Sequence, residues 1–169
     1  MLITGSGTSG TIAMRAAHLF SVGGTPAFYL SPSDGLHGGL GVLKKGDVVV
    51  ALSKGGASEE LNDFCSRARE LAGTVIAITA APESELARLA DHVLLLHLDP
   101  ECDLGAVVAT GSSLATAALV DALVEVTRLG RGYPGAISFF RIRLERSVTT
   151  LKNLFIALAR RKGNEFPAK

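Results

Sequence analysis

The chain has 169 residues, of which 47% are hydrophobic and 20% are charged. This size and composition fit one domain with a packed core and exclude a largely disordered protein. The formal net charge of +1 hides an asymmetry, because residues 1–127 carry 7 Lys+Arg against 14 Asp+Glu (−7), whereas residues 128–169 carry 10 against 2 (+8).

Membrane-spanning segments and disulfides are not predicted. The sequence has no uninterrupted apolar run long enough to cross a bilayer and no secretory signal at Met1. Its two cysteines, Cys65 and Cys102, fit neither a disulfide framework nor a zinc pattern. We therefore expect a cytoplasmic protein without a membrane partner.

The first hundred residues alternate between short β-branched runs and helical patterns. Strands are predicted at 1–4, 27–30, 47–52, 74–79 and 91–98. Helices are predicted at 11–22, 58–72, 82–90 and about 112–129, with 31–43 as a loop or irregular helix. Strands joined by helical crossovers predict a three-layer α/β/α sandwich around a five-stranded parallel sheet.

Three segments rich in glycine and hydroxyl residues follow predicted strands or begin predicted helices. They are Gly5–Gly10, Ser53–Ser58 and Thr110–Ser113. In a doubly wound sheet, ligands collect outside the carboxyl ends of the strands, where helix N-termini favour anions. Helix capping could explain any one segment alone. Three at one sheet edge favour a phosphate-binding site.

Two cofactor hypotheses fail on the sequence. Gly5–Gly10 formally matches the dinucleotide fingerprint, but the second strand ends Tyr29-Leu30-Ser31 and the nearest acid is Asp34. The cluster His97, Glu101, Cys102 and Asp103 matches no known set of metal ligands. Neither a cofactor nor a metal is predicted.

The order of these segments resembles the sugar isomerase (SIS) domain family, most closely its arabinose-5-phosphate isomerase branch. The resemblance covers residues 1 to about 132. The matching stretches are Gly5–Gly10, Thr25-Pro26, His37–Gly41, Asp47–Ser58 with Glu60, Ile78-Thr79, Pro82–Ser84, Leu86-Ala87, Ala90-Asp91, Glu101, Thr110–Ser113 and Asp121–Leu123.

The resemblance implies a flavodoxin-like sheet that binds a sugar phosphate at its carboxyl edge, in a homodimer or homotetramer. It implies aldose–ketose isomerisation through an enediol, with Glu60, His37 and Glu101 as catalytic residues. The implied substrate-binding residues are Gly7, Thr8, Ser9, Ser53, Lys54, Gly56, Ser58, Thr110, Ser112 and Ser113. Taken alone, Glu60 could equally be an acid that stabilises a helix N-terminus, and His37 an exposed loop residue.

The chain departs from the isomerase pattern at several positions. It has Thr8 where the family carries Lys, Gly39 where it carries Asp, and Gly55 where it carries Ser, although Lys54 could compensate with charge. The His-Pro-Gly-Gly element after the long helix and the appended CBS pair are both missing. These departures favour a second hypothesis, a non-catalytic phosphosugar sensor.

Residues 133–169 form a predicted hinge and a basic amphipathic helix beyond the resemblance. The helix is expected at 136–161, with apolar residues spaced three and four apart. We expect it to pack on the domain or on a partner subunit, in place of the helix that relatives have before the first strand. A nucleic-acid arm is the weakest hypothesis, because the tail lacks interleaved aromatics and a helix-turn-helix pattern.

Overall fold

Five parallel strands form the centre of the fold in the computed structural model, which describes residues 1–134. The strands are β1 (Leu2–Gly5), β2 (Phe28–Tyr29), β3 (Val48–Leu52), β4 (Thr74–Thr79) and β5 (His92–Leu95). They lie in the order β2-β1-β3-β4-β5, and every neighbouring pair is parallel. This is the doubly wound, flavodoxin-like order, and it confirms the predicted fold class.

Helices cover both faces of this sheet. They are α1 (Gly7–Val22), α2 (Pro32–Leu36), α3 (Glu59–Ala72), α4 (Glu85–Leu89) and α5 (Gly111–Gly130), with a 3₁₀ turn at Gly39–Val42. One core cluster joins α3 and α4 to the sheet, and another joins α1 and α5 to it. The three-layer sandwich is therefore confirmed. No helix within residues 1–134 has the length and apolar character needed to cross a membrane.

The central strand β3 is buried on both faces, as its apolar sequence predicts. Val49 and Ala51 belong to the cluster with α3, whereas Val50 and Leu52 belong to the cluster with α1 and α5. Successive side chains of a strand point to opposite faces, so an uninterrupted apolar run serves both layers. The carboxyl end of β3 is thus fixed where the second Gly/Ser segment begins.

Helix α1 begins earlier than the sequence pattern predicts. The predicted start is Thr11, but the Gly10 N–H donates to the Ser6 carbonyl at 3.2 Å and closes a first helical turn. A Cβ at position 10 would lie 2.8 Å from the Gly5 carbonyl oxygen, so the third glycine of the fingerprint is required by helix–strand packing. Gly7, Thr8 and Ser9 therefore lie in the first turn of a helix rather than in a loop.

Two later boundaries also differ from prediction. Helix α4 begins at Glu85 rather than Pro82, because the Ser84 hydroxyl accepts from the Ala87 N–H and caps it. Strand β5 ends at Leu95 rather than Leu98, because its neighbour β4 ends at Thr79, opposite Leu95. The edge strand therefore ends in register with its partner.

The compact unit that carries the sheet comprises Met1–Tyr133. The predicted helix at 136–161 lies outside the described residues and stays a prediction.

Candidate functional site

The three Gly/Ser segments supply one cleft at the carboxyl edge of the sheet. Gly5 and Leu52 end neighbouring strands and are paired in register, so the segments that follow them emerge side by side. About 260 Å³ of space lies between its walls, a figure that includes open solvent at its mouth. Its lining consists of Thr8, Ser9, Ile12, Lys54, Ala109, Ser112, Ser113 and Thr116.

The structure brings together about half of the predicted substrate-binding residues. Thr8, Ser9, Lys54, Ser112 and Ser113 line the cleft, and each of the three segments contributes to it. The predicted residues that do not line it are Gly7, Ser53, Gly56, Ser58 and Thr110. The cleft therefore lies between the first turns of α1 and α5, on one side of the Ser53–Ser58 loop.

The backbone carbonyl and the side-chain ammonium of Lys54 are both hydrogen-bonded, while its side chain stays accessible. Its carbonyl accepts from the Ala80 N–H at 2.9 Å and from the Thr79 hydroxyl at 3.0 Å. Its ammonium donates to Oδ2 of Asp103 at 2.7 Å, and the side chain is 46% exposed. A ligand in the cleft would meet a cation with a fixed position.

Asp103 is a residue of the site that the sequence did not reveal. Its Oδ1 accepts from the Ser112 N–H at 2.8 Å, and its Oδ2 accepts from the Ser112 hydroxyl at 2.7 Å. The hydrogen bond from Lys54, followed by those from Ser112, holds the pKa of Asp103 well below its usual range. The same Asp103 bond raises the pKa of Lys54. The pair is therefore charged throughout the neutral range.

The Ser53–Ser58 loop is a tight turn between β3 and α3. The Ser53 hydroxyl accepts from the Gly56 N–H at 3.1 Å, and the Gly56 carbonyl accepts from the Leu86 N–H at 3.1 Å. Ser58 occupies the N-cap position of α3, but its side chain makes no capping hydrogen bond. The Ser58 hydroxyl and the first N–H groups of α3 are thus suited to an anion.

Asn62 supports this loop from within α3, and it too was missed from the sequence. It is 2% exposed, and its amide donates to the Gly56 carbonyl at 3.3 Å and to Glu85 Oε2 at 3.0 Å. A single asparagine inside a helical pattern gives no signal of such a contact. The burial shows that the loop conformation is fixed by the fold.

Gly56 offers a sharp test of the loop geometry. Its φ is +61°, and a Cβ there would collide with the Ser84 side chain. We expect Gly56→Ala to destabilise the domain by about 1–2 kcal/mol, since an L-residue is strained at this φ. Gly55→Ala is the matched control, because a Cβ there meets nothing within 4 Å. Thermal melting of both variants checks the prediction, and equal losses would contradict it.

The three predicted catalytic residues are exposed, and none of them lines the cleft. Glu60 lies in the first turn of α3, directly after the Ser53–Ser58 loop. His37 is the C-cap residue directly after α2, with Nδ1 2.9 Å from the Ser33 carbonyl oxygen. Because that oxygen only accepts, the contact places a proton on Nδ1 and leaves Nε2 as the outer ring nitrogen. Glu101 lies in the loop after β5, and its N–H donates to Asp99.

Asp34, the acid nearest the end of β2, accepts a hydrogen bond from the Ser31 hydroxyl at 2.6 Å within the cap of α2. Among residues 1–134, no three His, Cys, Asp or Glu side chains are grouped as a metal site.

The sheet order, with a cleft at the carboxyl edge, is that of a doubly wound domain of the flavodoxin-like class. The family model of the SIS domain matches residues 1–126. The chain belongs to the SIS domain family.

Similar proteins come from several bacteria. Arabinose 5-phosphate isomerase KdsD of Francisella tularensis is 36% identical over 172 residues, covering 99% of this chain and 51% of that protein. KdsD of Escherichia coli K12 is 37% identical over 134 residues, covering 79% and 40%. A protein of E. coli CFT073, solved in complex with a sugar phosphate, superposes with a TM-score of 0.77 at 26% identity, covering 83% and 74%. The chain spans about half or less of the length of these curated relatives.

Proposed function

We propose that this chain carries the active site of a phosphosugar isomerase, which interconverts an aldose phosphate and a ketose phosphate. The observation that carries the proposal is the convergence of three segments on one cleft beside Lys54. The relatives named arabinose 5-phosphate isomerase, 36–37% identical, support the same reaction class. Glu60 follows the Ser53–Ser58 loop, where a carboxylate could reach a sugar held there.

Binding of the phosphate is assigned to the Ser53–Ser58 loop and the first turn of α3. The uncapped Ser58 hydroxyl and the free N–H groups of that turn are donors of the kind a phosphate takes. The sugar then extends toward the cleft, where the hydroxyls of Thr8 and Ser9 are at hand. Anchoring one end of the sugar holds the reacting carbons in place.

The chemistry assigned to the site is proton transfer between neighbouring carbons. Glu60 takes the proton from the carbon beside the carbonyl and returns it to the adjacent carbon through an enediol. Nε2 of His37 serves ring opening or the transfer of the hydroxyl proton, and Glu101 assists. The Lys54 ammonium, which uses one of its three N–H donors on Asp103, donates another to the carbonyl oxygen as negative charge develops there.

The proposal is tested by incubating the protein with arabinose 5-phosphate, other pentose and hexose phosphates, and the same sugars without phosphate. Formation of the matching ketose phosphate, detected by NMR, is the expected result. Unphosphorylated sugars should not react, because they lack the anchor. Binding of a sugar phosphate without turnover of any member of the panel would favour the non-catalytic sensor. The position of Glu60, His37 and Glu101 outside the cleft lining is the observation that keeps the sensor as a second candidate.

Lys54 is expected to contribute through its charge. We expect Lys54→Met to lower kcat/KM by about tenfold to a hundredfold, the usual range for losing one hydrogen bond to a charged group. Lys45→Met, which removes an exposed lysine before β3, is the matched control and should change kcat/KM by less than about twofold. Steady-state kinetics on both variants tests this expectation, and an unchanged kcat/KM in Lys54→Met would show that Lys54 takes no part in the site.

Assembly and compartment belong to the same proposal. We expect a homodimer or homotetramer, since Leu104, Val107 and Leu114 are 70%, 87% and 72% exposed beside the site. We expect a cytoplasmic protein, because Cys65 and Cys102 are both free thiols. Burial raises the pKa of Cys65 to about 12, which leaves it unreactive. Light scattering at micromolar concentration tests the assembly, and a monomer would contradict it.

A further inference from the structure

Asp103 is a buried anion at the N-terminus of α5, directly behind the cleft. Its side chain is 4% exposed, and its carboxylate accepts from both donors of Ser112 and from the Lys54 ammonium. The N-terminus of a helix is a position that favours an anion. In this chain that position is filled by a carboxylate of the protein itself.

The residues on either side of Asp103 in the chain, Cys102 and Leu104, are themselves hydrogen-bonded to the start of α5. The Gly111 N–H donates to the Cys102 carbonyl at 3.1 Å, and the Leu104 N–H donates to the Thr110 hydroxyl at 3.1 Å. A Cβ at position 111 would collide with the Cys102 carbonyl, so the loop lies flush against the first turn of α5. Asp103 is fixed between these contacts and cannot swing away without breaking them.

A second anion would be disfavoured at this position. Ser112, which is 2% exposed, gives its N–H and its hydroxyl to Asp103, so neither donor is left for a ligand. Lys54 is already paired, so its charge is balanced. A phosphate beside them would face a like charge at short range in a partly buried site, where Coulomb repulsion is strong.

We propose that Asp103 is a specificity-determining residue that keeps phosphate out of the cleft and so fixes the direction in which a ligand binds. A bound sugar phosphate then places its phosphate at the Ser53–Ser58 loop and its uncharged hydroxyl and carbonyl end in the cleft. This reassigns Ser112 from holding the phosphate to holding Asp103. The ligand class rests on the proposed function, but the exclusion of an anion does not depend on catalysis.

Titration of Asp103→Asn with inorganic phosphate tests the proposal. Removing the carboxylate charge frees Lys54 and raises the local charge by one. We expect phosphate to bind at least about tenfold more tightly than to the wild type, as measured by calorimetry. Adding Lys54→Met in the same chain should abolish that gain. Asp99→Asn, an exposed acid of the same loop, is the matched control and should leave phosphate affinity unchanged.

A measurement on the wild-type protein covers the case in which Asp103→Asn does not fold. Phosphate should shift the backbone amide signals of Ser58 and Glu59 and leave that of Ser112 unmoved. A dominant shift at Ser112, or equal or weaker phosphate binding by a folded Asp103→Asn, would overturn the proposal. If these binding results hold while no sugar phosphate is isomerised, the proposed function fails and the role of Asp103 stands.

Discussion

Glu60→Gln is expected to lower kcat for sugar-phosphate isomerisation by about 10²- to 10⁴-fold, the usual contribution of a general base. Glutamine keeps the size of the side chain but cannot take a proton from carbon. Because Glu60 is exposed in the first turn of α3, its substitution should leave the fold intact. Substrate binding should change little, since the phosphate contacts are assigned to other residues. Initial rates and KM measured together check both expectations.

The neighbouring residue supplies the control for this substitution. Glu59 lies in the same helical turn, is also exposed, and carries the same charge. Glu59→Gln should therefore reproduce any loss from the helix dipole or from local electrostatics, which amounts to less than about 1 kcal/mol. Equal losses of activity in the two variants would show that Glu60 acts only as an acid at a helix N-terminus.

Phe64→Ala is expected to destabilise the domain by about 3–5 kcal/mol, the usual cost of removing a large aromatic side chain from a core. Phe64 is fully buried in the cluster between α3 and the sheet. Its ring packs so closely against Gly35 of α2 that a Cβ at position 35 would collide with it. This contact ties α2, which directly precedes His37, to α3, which carries Glu60. Denaturant unfolding gives the free energy directly.

Leu71 provides the comparison within the same helix. It is 53% exposed, so Leu71→Ala should cost less than about 1 kcal/mol. Similar losses for Phe64→Ala and Leu71→Ala would mean that α3 does not pack as described. A large loss for Phe64→Ala alone supports the α2–α3 contact that positions both predicted catalytic residues.

The fold was predictable because hydrophobic periodicity is a local signal. β3 is an apolar run of five residues, β4 is an apolar run of four between two threonines, and the helices between strands impose parallel pairing. Boundaries were less predictable where they depend on partners distant in sequence. The start of α1 rests on Gly10 packing against Gly5, and the end of β5 rests on where β4 stops.

The site was predictable only in part, for the same reason. Glycine and hydroxyl residues at helix starts indicated Thr8, Ser9, Lys54, Ser112 and Ser113, which do line one cleft. The bonds of Asp103 join residues that are 49 and 9 positions apart, and no local motif encodes them. The roles of Glu60, His37 and Glu101 came from the family resemblance, and they remain predictions.

One departure from the isomerase pattern, the threonine at position 8, lies in the cleft. Thr8, which stands where the family carries Lys, lines the same cleft as Lys54. The chain therefore places its cation in the second segment rather than the first. Asp103 fixes that cation at 2.7 Å and neutralises its charge. The cation at this edge is therefore held in an ion pair, whereas 10 of the chain's 17 Lys and Arg residues lie beyond residue 127.

Solvent deuterium incorporation is the most direct test of isomerase chemistry at this site. The wild-type protein is incubated in D₂O with aldose and ketose phosphates, and the carbon beside the carbonyl is followed by NMR. We expect deuterium at that carbon for at least one sugar phosphate, with exchange lost in Glu60→Gln and retained in Glu59→Gln. Tight binding without exchange for every sugar phosphate would contradict it and identify a phosphosugar-binding domain without catalysis.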